Sequence, residues 1–111
     1  MPTDALDKLR LEMRRGAIVL AVLGMMRQEH YGYSLRKALE DKGIDMDEGT
    51  LYPLMRRLET QGLLESEWRE DAKRKKRFYR ISALGETVLT QLNEDWHSLN
   101  AALDKIMGER R

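Results

Sequence analysis

The strongest constraint on this chain is a pair of short amphipathic helical segments, each closed by a glycine, followed directly by two stretches of β-forming residues. Tyr33 to Lys42 places Leu35, Ala38 and Leu39 on one face and Tyr33, Lys37 and Glu40 on the other, and it stops at Gly43. Asp47 reads as the N-cap of the next segment, with Glu48 in the positive first turn and the end near Gln61, ahead of Gly62. Here Leu51, Leu54, Met55 and Leu58 share a narrow arc, while Gly49, Pro53, Arg56 and Thr60 fall on the far side. Pro53 lies about two turns in, at the cost of a backbone hydrogen bond.

Ahead of these lies Asp4 to Arg27, with apolar residues at Leu6, Leu9 and Met13 and then at Ile18, Val19, Val22, Leu23 and Met26. The spacing is helical, and Gly16 is a point where the segment could divide into two helices. After Gly62 come Leu63 to Arg69, with Leu64 and Trp68 facing inward, and Arg77 to Ile81, rich in aromatic and β-branched residues. Glu70 to Lys76 forms a polar hairpin tip between them, and Ser82 caps a last helix reaching about Met107.

The order helix, helix, helix, strand, strand, helix predicts a mainly α fold with a small β-wing. Residues 1–81 would form a winged helix-turn-helix with its N-terminal helix, and 82–111 a C-terminal dimerisation helix; an unrelated α+β domain has the same order of elements. At 111 residues there is room for one modest core, and 41% hydrophobic with 35% charged residues suits a folded chain with a heavily solvated surface.

Several classes are disfavoured. There is no cysteine, which removes disulfides, thiolate metal sites and cysteine nucleophiles, and a reducing cytoplasm fits. The longest apolar stretch, Gly16 to Met26, is well short of the roughly 20 residues that cross a bilayer, and its immediate continuation as Arg27, Gln28 and Glu29 does not suit a signal peptide. His30 and His97 lie far apart without metal-spaced partners, and neither a nucleophile elbow nor a phosphate loop occurs. No enzyme activity, metal or cofactor is expected.

The formal net charge is only +1, but it is unevenly spread. Between Arg69 and Arg80 stand Arg69, Lys73, Arg74, Lys75, Lys76, Arg77 and Arg80 against Glu70 and Asp71, a local charge of +5. Duplex DNA offers a dense phosphate array that such a segment can neutralise with release of counterions, although basic runs also occur as plain solvated loops. For base edges, the outward face of the third helical segment presents Thr50, Tyr52, Pro53, Arg56 and Arg57, with Arg56 the leading candidate. Tyr33 and Lys37 are placed to grip phosphates, and Lys73, Arg74, Lys75, Lys76 and Arg77 supply the wing contacts. Two simpler readings stay open: Arg56 and Arg57 pairing with Glu59 at the surface, and Tyr52 supporting the core.

Four runs carry a resemblance: Tyr31-Gly-Tyr-Ser-Leu, Glu48-Gly-Thr-Leu-Tyr-Pro-Leu-Met-Arg-Arg-Leu-Glu, Gly62-Leu-Leu-Glu-Ser-Glu-Trp68 and Arg77-Phe-Tyr-Arg-Ile-Ser-Ala-Leu-Gly85. Over roughly residues 13 to 90 the chain resembles the PadR family of bacterial transcriptional regulators, in its compact branch. The resemblance implies a homodimeric repressor whose third helix enters the major groove of double-stranded DNA while the wing meets the neighbouring minor groove or backbone. It also marks a departure, because family wings often have glycine or proline at the tip and this one has Asp71-Ala72 followed by a basic run.

In the last helix Leu89, Leu92, Trp96, Leu99, Leu103 and Ile106 are spaced 3, 4, 3, 4, 3, the seam of a heptad pattern. That seam is expected to pack against a twin helix and against Leu6, Leu9 and Met13; the alternative is that it folds back on its own reader. Trp96 is either a packed core residue or one wall of a slot for a small planar aromatic effector between two copies, an arrangement similar to that of drug-responsive PadR regulators. The rival to DNA binding is a winged helix used only for protein association.

Overall fold

The computed structural model describes residues 3–108. Helix α1 (Thr3–Met25) is followed by α2 (Gly32–Asp41) and α3 (Glu48–Thr60); β1 (Leu64–Asp71) and β2 (Arg74–Ile81) then pair as an antiparallel hairpin, and α4 (Ala83–Gly108) completes the order. This is the expected winged helix-turn-helix, mainly helical, with a long C-terminal helix.

Local chemistry sets the boundaries. Gly43 and Gly62 have φ of 95° and 80°, the left-handed conformation that ends a helix at little steric cost. Each stop has the paired hydrogen bonds of a Schellman motif: Ile44 N–H donates to Leu39 O at 2.8 Å and Gly43 N–H to Glu40 O at 3.0 Å, and Leu63 N–H donates to Leu58 O at 2.9 Å and Gly62 N–H to Glu59 O at 2.9 Å. Ser82 caps α4 as expected: its Oγ accepts from Gly85 N–H at 3.0 Å and donates to Gly62 O at 2.6 Å, tying the start of α4 to the end of α3.

The core joins Val22 and Leu23 of α1, Met26 just beyond it, Leu35 and Leu39 of α2, Leu51, Leu54, Met55 and Leu58 of α3, Leu64 and Tyr79 of the hairpin, and Leu89 of α4. Fully burying a Leu or Met side chain contributes about 1.5–3 kcal/mol. The four buried on the inner arc of α3 therefore outweigh the roughly 3 kcal/mol that an interior proline such as Pro53 costs.

Several expectations need correction. Gly16 does not divide α1, which is continuous, since one interior glycine costs only about 1 kcal/mol against alanine and long flanks outweigh it. Asp47 occupies the N-cap position of α3 with extended backbone, but its side chain makes no cap hydrogen bond; its carbonyl accepts from Thr50 and Leu51 instead. The hairpin tip is far shorter than Glu70 to Lys76. Strand pairing continues through Arg69↔Lys76, Glu70↔Lys75 and Asp71↔Arg74, and the last two, though opposite in charge, do not close to ion pairs; Asp71 is held by Lys76 instead. Only Ala72 and Lys73 remain as a turn, both at positive φ (53° and 67°), the requirement of a type I′ hairpin. Trp68 shares the inward face of the hairpin with Leu64 but is not buried: it is 62% exposed, because the hairpin extends past the helices that cover Leu64.

The molecule is elongated, 59 × 34 × 24 Å, with a radius of gyration of 16.6 Å. A compact chain of this length would have about 13 Å. The projecting parts are the wing and the outer ends of α1 and α4: every described residue from His97 onward is exposed, as are those of α1 up to Gly16.

Candidate nucleic-acid interface

The wing is built onto the helix-turn-helix by backbone and side chain together. Between α1 and α2, His30 N–H donates to Tyr79 O at 3.0 Å and Tyr79 N–H donates back to His30 O at 2.7 Å, so β2 is hydrogen-bonded to the segment entering α2. The Tyr31 ring meets Phe78 edge-on at 5.5 Å. Ser34 Oγ accepts from Tyr31 N–H at 3.0 Å and lies 3.0 Å from His30 Nδ1. Burial lowers the pKa of His30, whose Nε2 is shielded and finds no hydrogen-bond partner among the described residues.

Close approach of α2 to α3 depends on Gly32. A Cβ built there would stand 2.6 Å from Tyr52 Cε1 and 2.9 Å from Cζ, inside contact distance. The Tyr52 ring is thus half-buried against α2, and burial, with Glu48 nearby, raises its phenol pKa. That placement favours the supporting reading of Tyr52 while leaving one edge at the surface.

A cleft of about 380 Å³ separates α3 from the wing, and Tyr31, Tyr33, Tyr52, Arg56, Trp68, Lys76 and Arg77 all line it. It gathers five of the sequence-predicted residues from α2, α3 and β2. Tyr31 and Trp68 join them without having been expected. Their signal was the aromatic residue beside each motif, but which face each takes is decided by packing. Thr50, Pro53 and Arg57 open on the opposite flank of α3, into a groove of about 640 Å³ shared with Arg14, Arg15 and Ile18 of α1. Lys37 stays on the outer face of α2, paired with Glu40 at 3.6 Å.

The cations of the wing divide into two kinds. Arg77 donates to Glu59 Oε1 at 2.9 Å and to Ser66 Oγ at 2.8 Å. Lys76 donates to Asp71 Oδ2 at 3.2 Å and lies 4.2 Å from the centre of the Tyr31 ring; the hydrogen bond to Asp71 raises its pKa. Arg69 pairs with Glu29 and Glu67 over the Phe78 ring, and Arg80 with Glu65 at 3.8 Å. Lys73, Arg74 and Lys75 make no ion pair among the described residues, and neither do Arg56 and Arg57. Glu59, a candidate partner for the last two, is held by Arg77 instead. Of the cations on the wing and α3, those without an ion pair are therefore at the wing tip and on the exposed side of α3.

The residues considered for self-association fall into two groups. Leu89 is buried in the core, Leu92 packs against it, and Trp96 is half-buried. Leu99, Leu103 and Ile106 are 56%, 41% and 55% exposed, and Leu6, Leu9 and Met13 of α1 are 37%, 61% and 70% exposed. Within one chain, α4 meets α1 farther along, at Gly16, Val19 and Leu20, where a mostly apolar cavity of about 360 Å³ also takes in Leu92, Asp95, Trp96 and Leu99. No helix among the described residues is long and apolar enough to cross a membrane.

The architecture has close counterparts among solved structures. A PadR family transcriptional regulator from Eggerthella lenta superposes with a TM-score of 0.87 at 43% identity, covering 95% of this chain and 94% of that one. A PadR-like transcriptional regulator from Bacillus cereus gives 0.77 at 25% identity over 86% and 96%. In sequence, the chain is 36% identical over 98 residues to the transcriptional regulator Rv3488 of Mycobacterium tuberculosis, covering 87% of this chain and 89% of the relative. The profile described as the transcriptional regulator PadR-like family matches residues 19–91, which span both helices of the reader, the whole wing and the buried start of α4. With the hairpin, the two glycine-closed helices and the Ser82 cap all inside that match, the chain belongs to the PadR-like family of transcriptional regulators.

Proposed function

We propose that this protein is a sequence-specific DNA-binding repressor acting as a homodimer. The observation that carries the reading is that the two projecting elements both carry cations without an ion pair: Lys73, Arg74 and Lys75 stand at the end of the hairpin, and Arg56 and Arg57 on the exposed side of α3. In this division of labour the tip neutralises phosphates, α3 lies in the major groove with Arg56 toward base edges, and Tyr33 and Lys37 fix orientation on the backbone. Thr50 and Pro53, small and exposed, allow close approach of the helix to the groove wall.

Self-association is supported by the outer end of α4. Ten residues of helix from Leu99 to Gly108 are exposed while carrying Leu99, Leu103, Ile106 and Met107 along the chain. A helix end without neighbours is marginal in water, and a second copy supplies the missing apolar partner. The exposed Leu6, Leu9 and Met13 of α1 add to the surface such a copy would cover. In the same arrangement Trp96 walls a cavity with Asp95 at its edge, which suits a planar aromatic effector bearing positive charge.

The decisive experiment is duplex binding against salt. Contacts to 6–10 phosphates weaken affinity by about 10³–10⁵ between roughly 50 and 200 mM salt, whereas a protein-docking module shows no such dependence on DNA. Arg56→Ala should relax discrimination between operator and random duplex, and Lys75→Ala should weaken both alike. Equal effects of the two changes would remove these roles. For the effector, titration with planar cationic dyes should quench tryptophan emission, and quenching that survives Trp96→Leu would exclude this location.

A further inference from the structure

We propose that Glu59, Ser66 and Arg77 form a brace that sets the angle between α3 and the wing, so that Arg77 acts in DNA binding as a positioning residue and not as a phosphate contact. The inference rests on the DNA-binding reading above. It departs from that reading on Arg77, which charge alone would count among the phosphate ligands.

The three groups close a ring across three elements. Glu59 is in the last turn of α3, Ser66 is on β1 and Arg77 is on β2. Arg77 donates through Nε to Ser66 Oγ at 2.8 Å and through Nη2 to Glu59 Oε1 at 2.9 Å, while the Ser66 hydroxyl donates to the other carboxylate oxygen, Glu59 Oε2. Both oxygens of Glu59 and both roles of the hydroxyl are thus used. The Glu59 and Arg77 side chains are 25% and 37% exposed, against 65% and 61% for Arg80 and Glu65 on the other face of the same hairpin, so this pair is less screened by water.

Strand alternation places Ser66, Trp68, Arg77 and Tyr79 on one face of the hairpin, toward α3, and Arg69 and Phe78 on the other. The second face is held as well, by Arg69 to Glu29 across the Phe78 ring. A two-stranded hairpin alone is marginal in water, and one projecting this far needs ties on both faces to keep a fixed direction. The distance between Arg56 on α3 and the unpaired cations at the tip follows from that direction. An arginine already neutralised by a carboxylate also brings little net charge to a phosphate, so removing it should change the number of released counterions very little.

The test separates the two roles of Arg77. The tightest duplex recovered by the unaltered protein from a random-sequence pool serves as the probe, and affinity is measured against salt for Glu59→Gln, Ser66→Ala, Arg77→Gln, the Glu59→Gln/Arg77→Gln pair and Lys75→Gln. As a brace, Glu59→Gln and Arg77→Gln each weaken binding about tenfold, and the double variant is no weaker than the worse single, as expected of groups acting as one unit. Their salt slopes match the unaltered protein, while Lys75→Gln lowers the slope by about 0.9. Exchanging the charges, Glu59→Arg with Arg77→Glu, restores most of the affinity.

The inference is overturned if Glu59→Gln leaves binding unchanged or tightens it, because freeing a phosphate-contacting arginine would do that. A slope drop in Arg77→Gln equal to that of Lys75→Gln overturns it too. Should Arg77→Gln fail to fold, the direction of the Glu59→Gln effect decides alone. If the unaltered protein recovers no duplex at low salt, the DNA-binding reading fails and this one with it; binding by the unaltered protein with the wrong pattern among variants removes the brace only.

Discussion

The turn between the two wing strands offers a direct perturbation. Ala72 and Lys73 both sit at positive φ, 53° and 67°, where a Cβ crowds the backbone at a cost of about 1–2 kcal/mol per residue. The double substitution Ala72→Asn with Lys73→Gly supplies the pair that a type I′ hairpin prefers. Relief at the two positions comes to about 2 kcal/mol, and the extra freedom of glycine in the unfolded chain offsets about 0.5–1 kcal/mol of it. A net gain of about 1 kcal/mol remains. At about 2.1 cal/mol/K per residue the unfolding entropy of 111 residues is about 0.23 kcal/mol/K, so Tm should rise by about 4 °C. Thermal unfolding by circular dichroism, at matched protein concentration because self-association shifts Tm, measures it. Ala72→Val, which adds a β-branch at positive φ, should lower Tm instead. The same Lys73→Gly change removes an unpaired tip cation, so the salt slope of DNA binding should fall by about 0.9 as stability rises. An unchanged or lower Tm in the double variant, or no distinction between it and Ala72→Val, would refute the argument from turn strain.

Three further outcomes are expected. Gly32→Ala drives a methyl into the Tyr52 ring at 2.6 Å and should cost about 1–3 kcal/mol in urea unfolding, a loss that largely disappears in a Tyr52→Leu background. Burial lowers the pKa of His30 below its unfolded value of 6.5, so the unfolded chain binds the proton more readily. Stability from this group is therefore complete above pH 6.5 and declines as pH falls through the native value; unfolding at about pH 7.5 and about pH 5.5 should show that decline, reduced in His30→Asn. Leu103→Glu with Ile106→Glu places charge on the exposed end of α4 and should turn a dimer into a folded monomer, read by sedimentation equilibrium; an unaltered protein that already sediments as a monomer would contradict the proposed self-association.

What could be read along the chain was what local chemistry dictates. Gly43 and Gly62 end helices because positive φ is cheap only without a Cβ, and Ser82 begins one because a short side-chain oxygen reaches a free N–H. The inner arc of α3 followed from helical spacing, and the basic wing from a count of charges. These signals lie within a few residues of one another, so no knowledge of the fold is needed to use them.

Tertiary structure decided whatever depends on a distant partner. Residues Glu70, Asp71, Arg74 and Lys75 read as loop because they are charged, yet they form strand because the backbone ladder continues out to a two-residue turn at Ala72 and Lys73. Trp68 has the pattern of an inward residue but stands beyond the helices that would cover it. Arg77 and Glu59 are eighteen positions apart, and nothing in the run of cations distinguishes Arg77, held by that carboxylate, from Lys73, Arg74 and Lys75, which make no ion pair among the described residues. Composition fixes how much positive charge the wing carries, whereas only the folded arrangement determines how much of it stays unpaired, since an ion pair forms only where folding brings a carboxylate of the same chain within reach.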